Sequence, residues 1–415
     1  MATPTWSRAD LERRLGDSLE VARRSIPILA AALPGEPAAL PTFKREKFIC
    51  ETALLLYAAS GAARRRPALR ARIAGVASDL APHARSEALI TAMRLRPVVA
   101  PEFSVAHVCL TRLGFPDLSF QAELDFVLAA SVTGMVERAP WKDVEADWLA
   151  GVSGRATRND VGPVLARMTV TLGLDALSAR REEIYAFTHG LIYLTDFGQR
   201  PRPLARPHAD LVADADVALA RCIDDDDFDL AAEVLMTWPY LRAEWTAGAA
   251  FGMSVLARVE DQVGLLPSLS LRQVEFAALE GLERKRYVAT EAYHTAYVMG
   301  LLSAALLLPG CAPPSAVPSG AGSGAARLLH ALMLPRSPIP QWEVDFASLS
   351  PRQQDRLAPF LAAVGLRRAV MQSDLERLRS ILAASVDHHL PISPAIYQGA
   401  ELLRRFARAD MRASA

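Results

Sequence analysis

Along almost the whole chain apolar residues recur at helical spacing, Ala, Leu and Arg are enriched, and runs of β-branched residues long enough to form strands are few. This pattern predicts an all-α protein with almost no sheet, its helical hairpins packed as an α/α toroid or an irregular α-solenoid. Helix breakers fall at Leu33-Pro34-Gly35, Ala81-Pro82, Arg96-Pro97, Ala139-Pro140, residues 201–207, Trp238-Pro239, Leu266-Pro267 and Leu308-Pro309. Between them, helices are expected over 178–197, 209–222, 227–237, 247–262, 270–282 and 285–308. The chain has no exact internal repeat, which favours a closed or irregular form over a regular array. Four regions follow: an N-terminal helical region (1–150), a central one (151–308), a segment dense in Pro, Gly, Ser and Ala that reads as a linker or lid (309–325), and C-terminal helices packed on the same body (326–415).

Two of the expected helices carry polar stripes through apolar sequence. In the first, Glu182, Tyr185, His189, Tyr193 and Asp196 step by three or four residues, which puts them on one helical face. In the second, Tyr287, Glu291, His294 and Val298 align in the same way. Polar groups repeated on a core face cost free energy unless they are paired, so these stripes need a reason. Histidine acid–base catalysis is one, with His189 and His294 oriented by Asp196 and Glu291 and flanked by Tyr185 and Tyr193. A mononuclear divalent metal held by His189, Asp196, Glu291 and His294 is another, because imidazole and carboxylate suit zinc, iron or manganese. A buried hydrogen-bond network without catalysis is the third. Glu291 and His294 have the Glu-x-x-His spacing of di-iron bundles, but the first stripe offers no second copy. Either chemical reading requires His189, Asp196, Glu291 and His294 to face one solvent-reachable cavity.

Charge narrows the partners. Lys+Arg and Asp+Glu both number 46, so no global field draws the chain to nucleic acid or an anionic membrane. The basic run Arg64, Arg65 and Arg66 reads as a solvated helix end. Cys50, Cys109, Cys222 and Cys311 form no close pair, which argues against a zinc or disulfide framework and fits a reducing cytoplasm. The N-terminus has no apolar signal region, and the most apolar stretch, 296–308, is too short to span a bilayer.

The acidic run 224–229 (DDDDFD) matches the Asp-Asp-x-x-Asp pattern that holds magnesium in class I terpene synthases. Its downstream partner motif is missing, so the run reads as a helix cap, and a Mg-dependent isoprenoid enzyme is a minor alternative. Glu260 and Asp261 read as capping or solvent-exposed. Neither a phosphate-binding glycine loop nor a Gly-x-Ser-x-Gly elbow occurs.

The run Thr188-His189 with Tyr193-Leu194-Thr195-Asp196-Phe197-Gly198, followed downstream by Tyr293-His294-Thr295, resembles an uncharacterised family of bacterial helical proteins over residues 179–308. The resemblance implies that His189, Asp196 and His294 form a shared constellation, and it implies no activity. The sequence as a whole leads to the expectation of an enzyme of specialised metabolism with a polar cavity between helices. Its substrate would be a small organic or peptide-derived molecule, converted by His-based acid–base or metal-assisted chemistry. The alternative is a non-catalytic scaffold that binds a peptide or protein.

Overall fold

In a computed structural model, residues 6–29, 43–130, 138–157, 161–200, 204–268, 273–314, 316–320 and 322–413 are described, and every regular element among them is a helix. The Leu33-Pro34-Gly35 breaker and part of the 270–282 helix lie outside the described residues. The principal helices are α1 (Arg8–Leu29), α2 (Phe43–Ala63), α3 (Pro67–Leu80), α4 (Val105–Arg112), α5 (Pro140–Ser153), α6 (Arg181–Leu194), α7 (His208–Asp224), α8 (Phe228–Leu235), α9 (Ala247–Val263), α10 (Tyr293–Leu306), α11 (Ala358–Met371), α12 (Leu375–Asp387) and α13 (Pro394–Ala413).

Six of them close a ring. α2 packs on α4, α4 on α5, α5 on α6, α6 on α8, α8 on α10, and α10 returns to α2. α1 lies along α10 and α2 from outside, so the first helix of the chain seals a helix from its second half. Small residues allow that approach: at Gly300 on α10 an added Cβ would stand 2.7 Å from Ser18 Cβ and 2.9 Å from Leu55 Cδ1. Ser18 Oγ, 2.7 Å from the Ala296 carbonyl, joins the two helices with a hydrogen bond. Arg14 adds an ion pair to Asp261 at 2.9 Å and another to Glu260, so those two carboxylates tie α9 to α1 rather than serving only as caps.

One apolar core runs from Trp6 to Ile396, and a small satellite core, with Leu89, Met93, Phe120 and Leu124, sits beside it. The C-terminal helices belong to the same body, since α7 packs on α11, which carries α12 and α13. The acidic run welds this joint. Buried Asp224 accepts from Arg368 and from the Trp342 indole, while Asp225 is gripped by both terminal nitrogens of Arg367 at 2.9 and 2.7 Å. Asp227 is a helix cap as expected, accepting from the Leu230 amide at the start of α8.

Two expectations need adjustment. The 309–325 segment is tied down where it is described: Val317 is buried in the core, the Trp245 indole donates to the Ala312 carbonyl, and the Gly320 amide donates to Arg352. Residues 315 and 321 lie outside the described set. The long helix expected over 285–308 is also broken, because Val288–Ala292 forms a π-helical turn between an α-helix Gly281–Tyr287 and α10.

Substituting Gly300 by Ala is expected to cost about 1–3 kcal/mol through forced separation of α1 from α10. The midpoint of urea unfolding checks this, and an unshifted midpoint would mean that the two helices yield without strain.

Candidate functional site

The helical ring encloses a cavity of about 370 Å³. Each wall is a helical stripe, because residues three, four and seven apart share a face. α2 supplies Glu46, Cys50, Glu51 and Leu54; α5 supplies Trp141, Lys142 and Glu145; α6 supplies Tyr185, His189, Ile192 and Tyr193. α8 brings Glu233, and α10 brings His294, Tyr297, Val298 and Leu301. Of the residues singled out from the sequence, His189, His294, Tyr185 and Tyr193 therefore meet at one cavity.

Asp196 and Glu291 do not join them, so neither the four-residue metal set His189, Asp196, Glu291 and His294 nor the acid–base set in which Asp196 and Glu291 orient the two histidines assembles as expected. The reason is local in both cases. α6 ends at Leu194, and Asp196, Phe197 and Gly198 follow in the left-handed region with φ of 52°, 55° and 72°, so the step from Tyr193 to Asp196 leaves the helical stripe. Asp196 accepts instead from the Tyr57 hydroxyl and the Trp148 indole, both at 2.8 Å, and pairs with Arg200 at 3.1 Å. Such a turn costs on the order of 1–3 kcal/mol for each non-glycine residue. It is offset by those hydrogen bonds and by the Phe197 ring, packed edge-on against Tyr57 and Trp148 at 5.9 and 5.5 Å. In the second stripe the π-turn at Val288–Ala292 winds wider than an α-turn, so Glu291 is rotated off the face of His294 and is exposed.

Two other carboxylates take the places expected of Asp196 and Glu291. His294 Nδ1 donates to Glu51 at 3.1 Å, and its Nε2 lies 3.6 Å from Asp229. With a carboxylate at each ring nitrogen, the imidazole is held as a cation. Burial opposes that charge, but Glu51 and then Asp229 outweigh it and raise the His294 pKa to about 9. Burial likewise opposes the Glu51 charge, yet the His294 cation holds its carboxyl below the ordinary range. Asp229 is raised by burial, and Arg181 also approaches it at 3.4 Å. The acidic run thus serves three networks, and its Asp-Asp-x-x-Asp members do not converge: Asp225 faces Arg367, and Asp229 faces His294. Among the described residues no group of three His, Cys, Asp or Glu side chains is placed to hold a metal ion.

His189 is the opposite case. Burial lowers its pKa to about 3, so it is a neutral imidazole. Its Nδ1 lies 3.1 Å from the Tyr185 carbonyl, which can only accept; Nδ1 therefore carries the proton and Nε2 the lone pair. The ring stacks on Tyr185 at 3.7 Å and meets Trp141 edge-on at 5.0 Å. Beside it, burial and then the charge of Asp229 raise Glu233 to about 8. The hydrogen bonds agree with a protonated Glu233. The Thr188 hydroxyl lies 2.7 Å from Glu233 Oε2 and 3.0 Å from the Tyr185 carbonyl, and its single proton can serve only one of them. Both contacts are satisfied if Glu233 donates to Thr188 and Thr188 donates to the carbonyl.

Glu46 is buried at 4% exposure, its Oε2 has no hydrogen-bond partner, and desolvation raises its pKa to about 7. Glu145 accepts from the Tyr193 hydroxyl and from Lys142, each at 2.6 Å. Glu46, Glu51, Glu145, Asp229 and Glu233 were not identified from the sequence as site residues. The available signal was Glu51 inside the apolar run Ile49-Cys50-Glu51-Thr52-Ala53-Leu54 and Glu233 inside Ala231-Ala232-Glu233-Val234-Leu235, single charges where a core helix has none to spare.

Residues 24–304, more than half of the chain and every residue lining the cavity, match the model of a family described as Domain of unknown function (DUF6895). The chain belongs to that family. No curated protein and no solved structure matches it. Among the described residues no helix is long and apolar enough to cross a membrane.

The His294 clamp makes folding pH-dependent. Its folded pKa lies above the ordinary histidine value of about 6.5, so the stabilisation is fully present below that value and is lost as pH rises through about 9. Melting temperatures between pH 7 and 10 should fall more steeply for the wild type than for His294→Gln. Parallel curves would show that His294 is not held as a cation.

Proposed function

We propose that this cavity is the active site of an enzyme that moves protons on a small polar organic substrate by acid–base chemistry. The observation that carries the reading is the divergence of protonation states around one cavity: a cationic His294, a neutral His189, a protonated Glu233 and a Glu46 poised near neutrality. Titratable groups whose surroundings push their pKa values apart are the mark of assigned acid and base roles. Glu46 Oε2 is buried without a hydrogen-bond partner, a cost that a substrate donor would relieve.

The protonation states and positions of these groups support the following roles. Glu46 takes the substrate proton, since a base with a pKa near the working pH combines the right protonation state with adequate strength. Glu233 carries a proton at neutral pH, given to Thr188 in the resting site, and is the acid that turns this proton to the substrate. His189 presents its Nε2 lone pair to a substrate donor, and its stack with Tyr185 fixes the ring plane. His294 is clamped through both nitrogens, which suits a fixed positive charge facing developing negative charge better than a proton shuttle. Trp141, Tyr185 and Tyr193 offer aromatic faces to the apolar part of the substrate. A bound metal would fall under the same acid–base scheme only if ligands other than His189, Asp196, Glu291 and His294 held it.

The test is incubation of the full chain with a cell metabolite extract in D₂O, followed by high-resolution mass spectrometry. One compound is expected to be consumed or to gain deuterium. Glu46→Gln should slow that change by at least about 100-fold, and the wild-type rate should rise as pH passes through about 7, where Glu46 loses its proton. An extract left unchanged by the folded wild type, or a Glu46→Gln rate equal to wild type, would overturn the proposal.

A further inference from the structure

A second hollow, of about 160 Å³, lies behind the left-handed turn that ends α6. Phe197 lines the main cavity, while its neighbour Asp196 lines this hollow, together with Arg64, Arg112, Gln199 and Arg200. Three guanidinium groups thus face one carboxylate, and that carboxylate is already satisfied. Asp196 Oδ1 accepts from Tyr57 and Trp148, and Oδ2 is paired with Arg200. Among the described residues neither Arg64 nor Arg112 is ion-paired to a carboxylate, and both exposed side chains line the hollow.

The adjoining amide points to the same ligand chemistry. Gln199 Nε2 is buried and has no hydrogen-bond acceptor, a cost that a folded protein rarely carries without use. The amide is seated against α2 at Gly61, where an added Cβ would stand 2.8 Å from Gln199 Oε1. Arg64 belongs to the basic run that the sequence reads as a solvated helix end. Its neighbour Arg66 turns away to Glu12 and to the Ala62 and Leu307 carbonyls, which separates the two residues' roles.

We propose that this hollow is a binding site for a phosphate group, free or carried on an organic ester. Unpaired guanidinium forks match the spread oxygens of a phosphate, and two net positive charges match a dianion. Gln199 Nε2 supplies a further donor, and the Asp196 pairing with Arg200 orients the third guanidinium. The site is separate from the acid–base cavity and stands or falls independently of it.

Isothermal titration calorimetry of the full chain with inorganic phosphate, pyrophosphate and glycerol 3-phosphate tests this, with acetate at matched ionic strength as control. Saturable one-to-one binding of phosphate compounds, but not acetate, is expected. Arg64→Gln/Arg112→Gln should weaken it by at least about tenfold. Both side chains are exposed and lack ion-pair partners, so the variant should retain its helical circular dichroism. Gln199→Glu, which places a negative charge in the hollow, should weaken binding independently. Tighter binding of the ester than of free phosphate would identify an organic ligand, and the reverse order free phosphate or pyrophosphate; both uphold the site. Absence of saturable binding, or equal affinity in the wild type and the double variant, would overturn it.

Discussion

The imidazolium of His294, held between Glu51 and Asp229, is the constraint on which the rest of the site depends. It joins α2, α8 and α10, three helices distant in sequence, at a position where any of the three charges left alone would be expensive. Burial raises Asp229 against the pull of the His294 cation, and the charge of Asp229, after burial itself, contributes to keeping Glu233 protonated. The protonation state of the neighbouring His189 and Glu233 pair is therefore set partly by a contact in which neither takes part.

The ring of helices makes that arrangement affordable. Residues on α2 and α10 are brought together by α1, which presses on both at Ser18 and Gly300, and the apolar core around the ring supplies the favourable term that offsets burial of so many polar groups. Two irregularities, the π-turn before α10 and the left-handed turn after α6, lie beside the two hollows. Both change the direction in which a helix presents its next side chain. One removes Glu291 from the cavity, and the other moves Asp196 to the arginine-lined side.

Much of the candidate site was legible in part. His189 and His294 stood out because polar residues at core spacing need partners, and the structure places both on the cavity wall with Tyr185 and Tyr193. Their carboxylate partners lie elsewhere for a physical reason: extending a stripe by threes and fours assumes an unbroken α-helix, and both stripes break within two turns of the histidine. The acidic run was correctly read as a cap at Asp227, but composition could not reveal that Asp224, Asp225 and Asp229 leave the same few residues toward three different partners.

The sequence by itself determined the helical class, the principal helices of the central region and the presence of buried polar chemistry, because these follow from side-chain periodicity and from the cost of desolvating charge, both local properties of a segment. Only the tertiary structure decided which carboxylates face which histidine, and that Arg64 and Arg112 share a hollow with Arg200. Those pairings depend on how helices far apart in the chain are rotated and stacked, and helical periodicity specifies a face without specifying what it will meet.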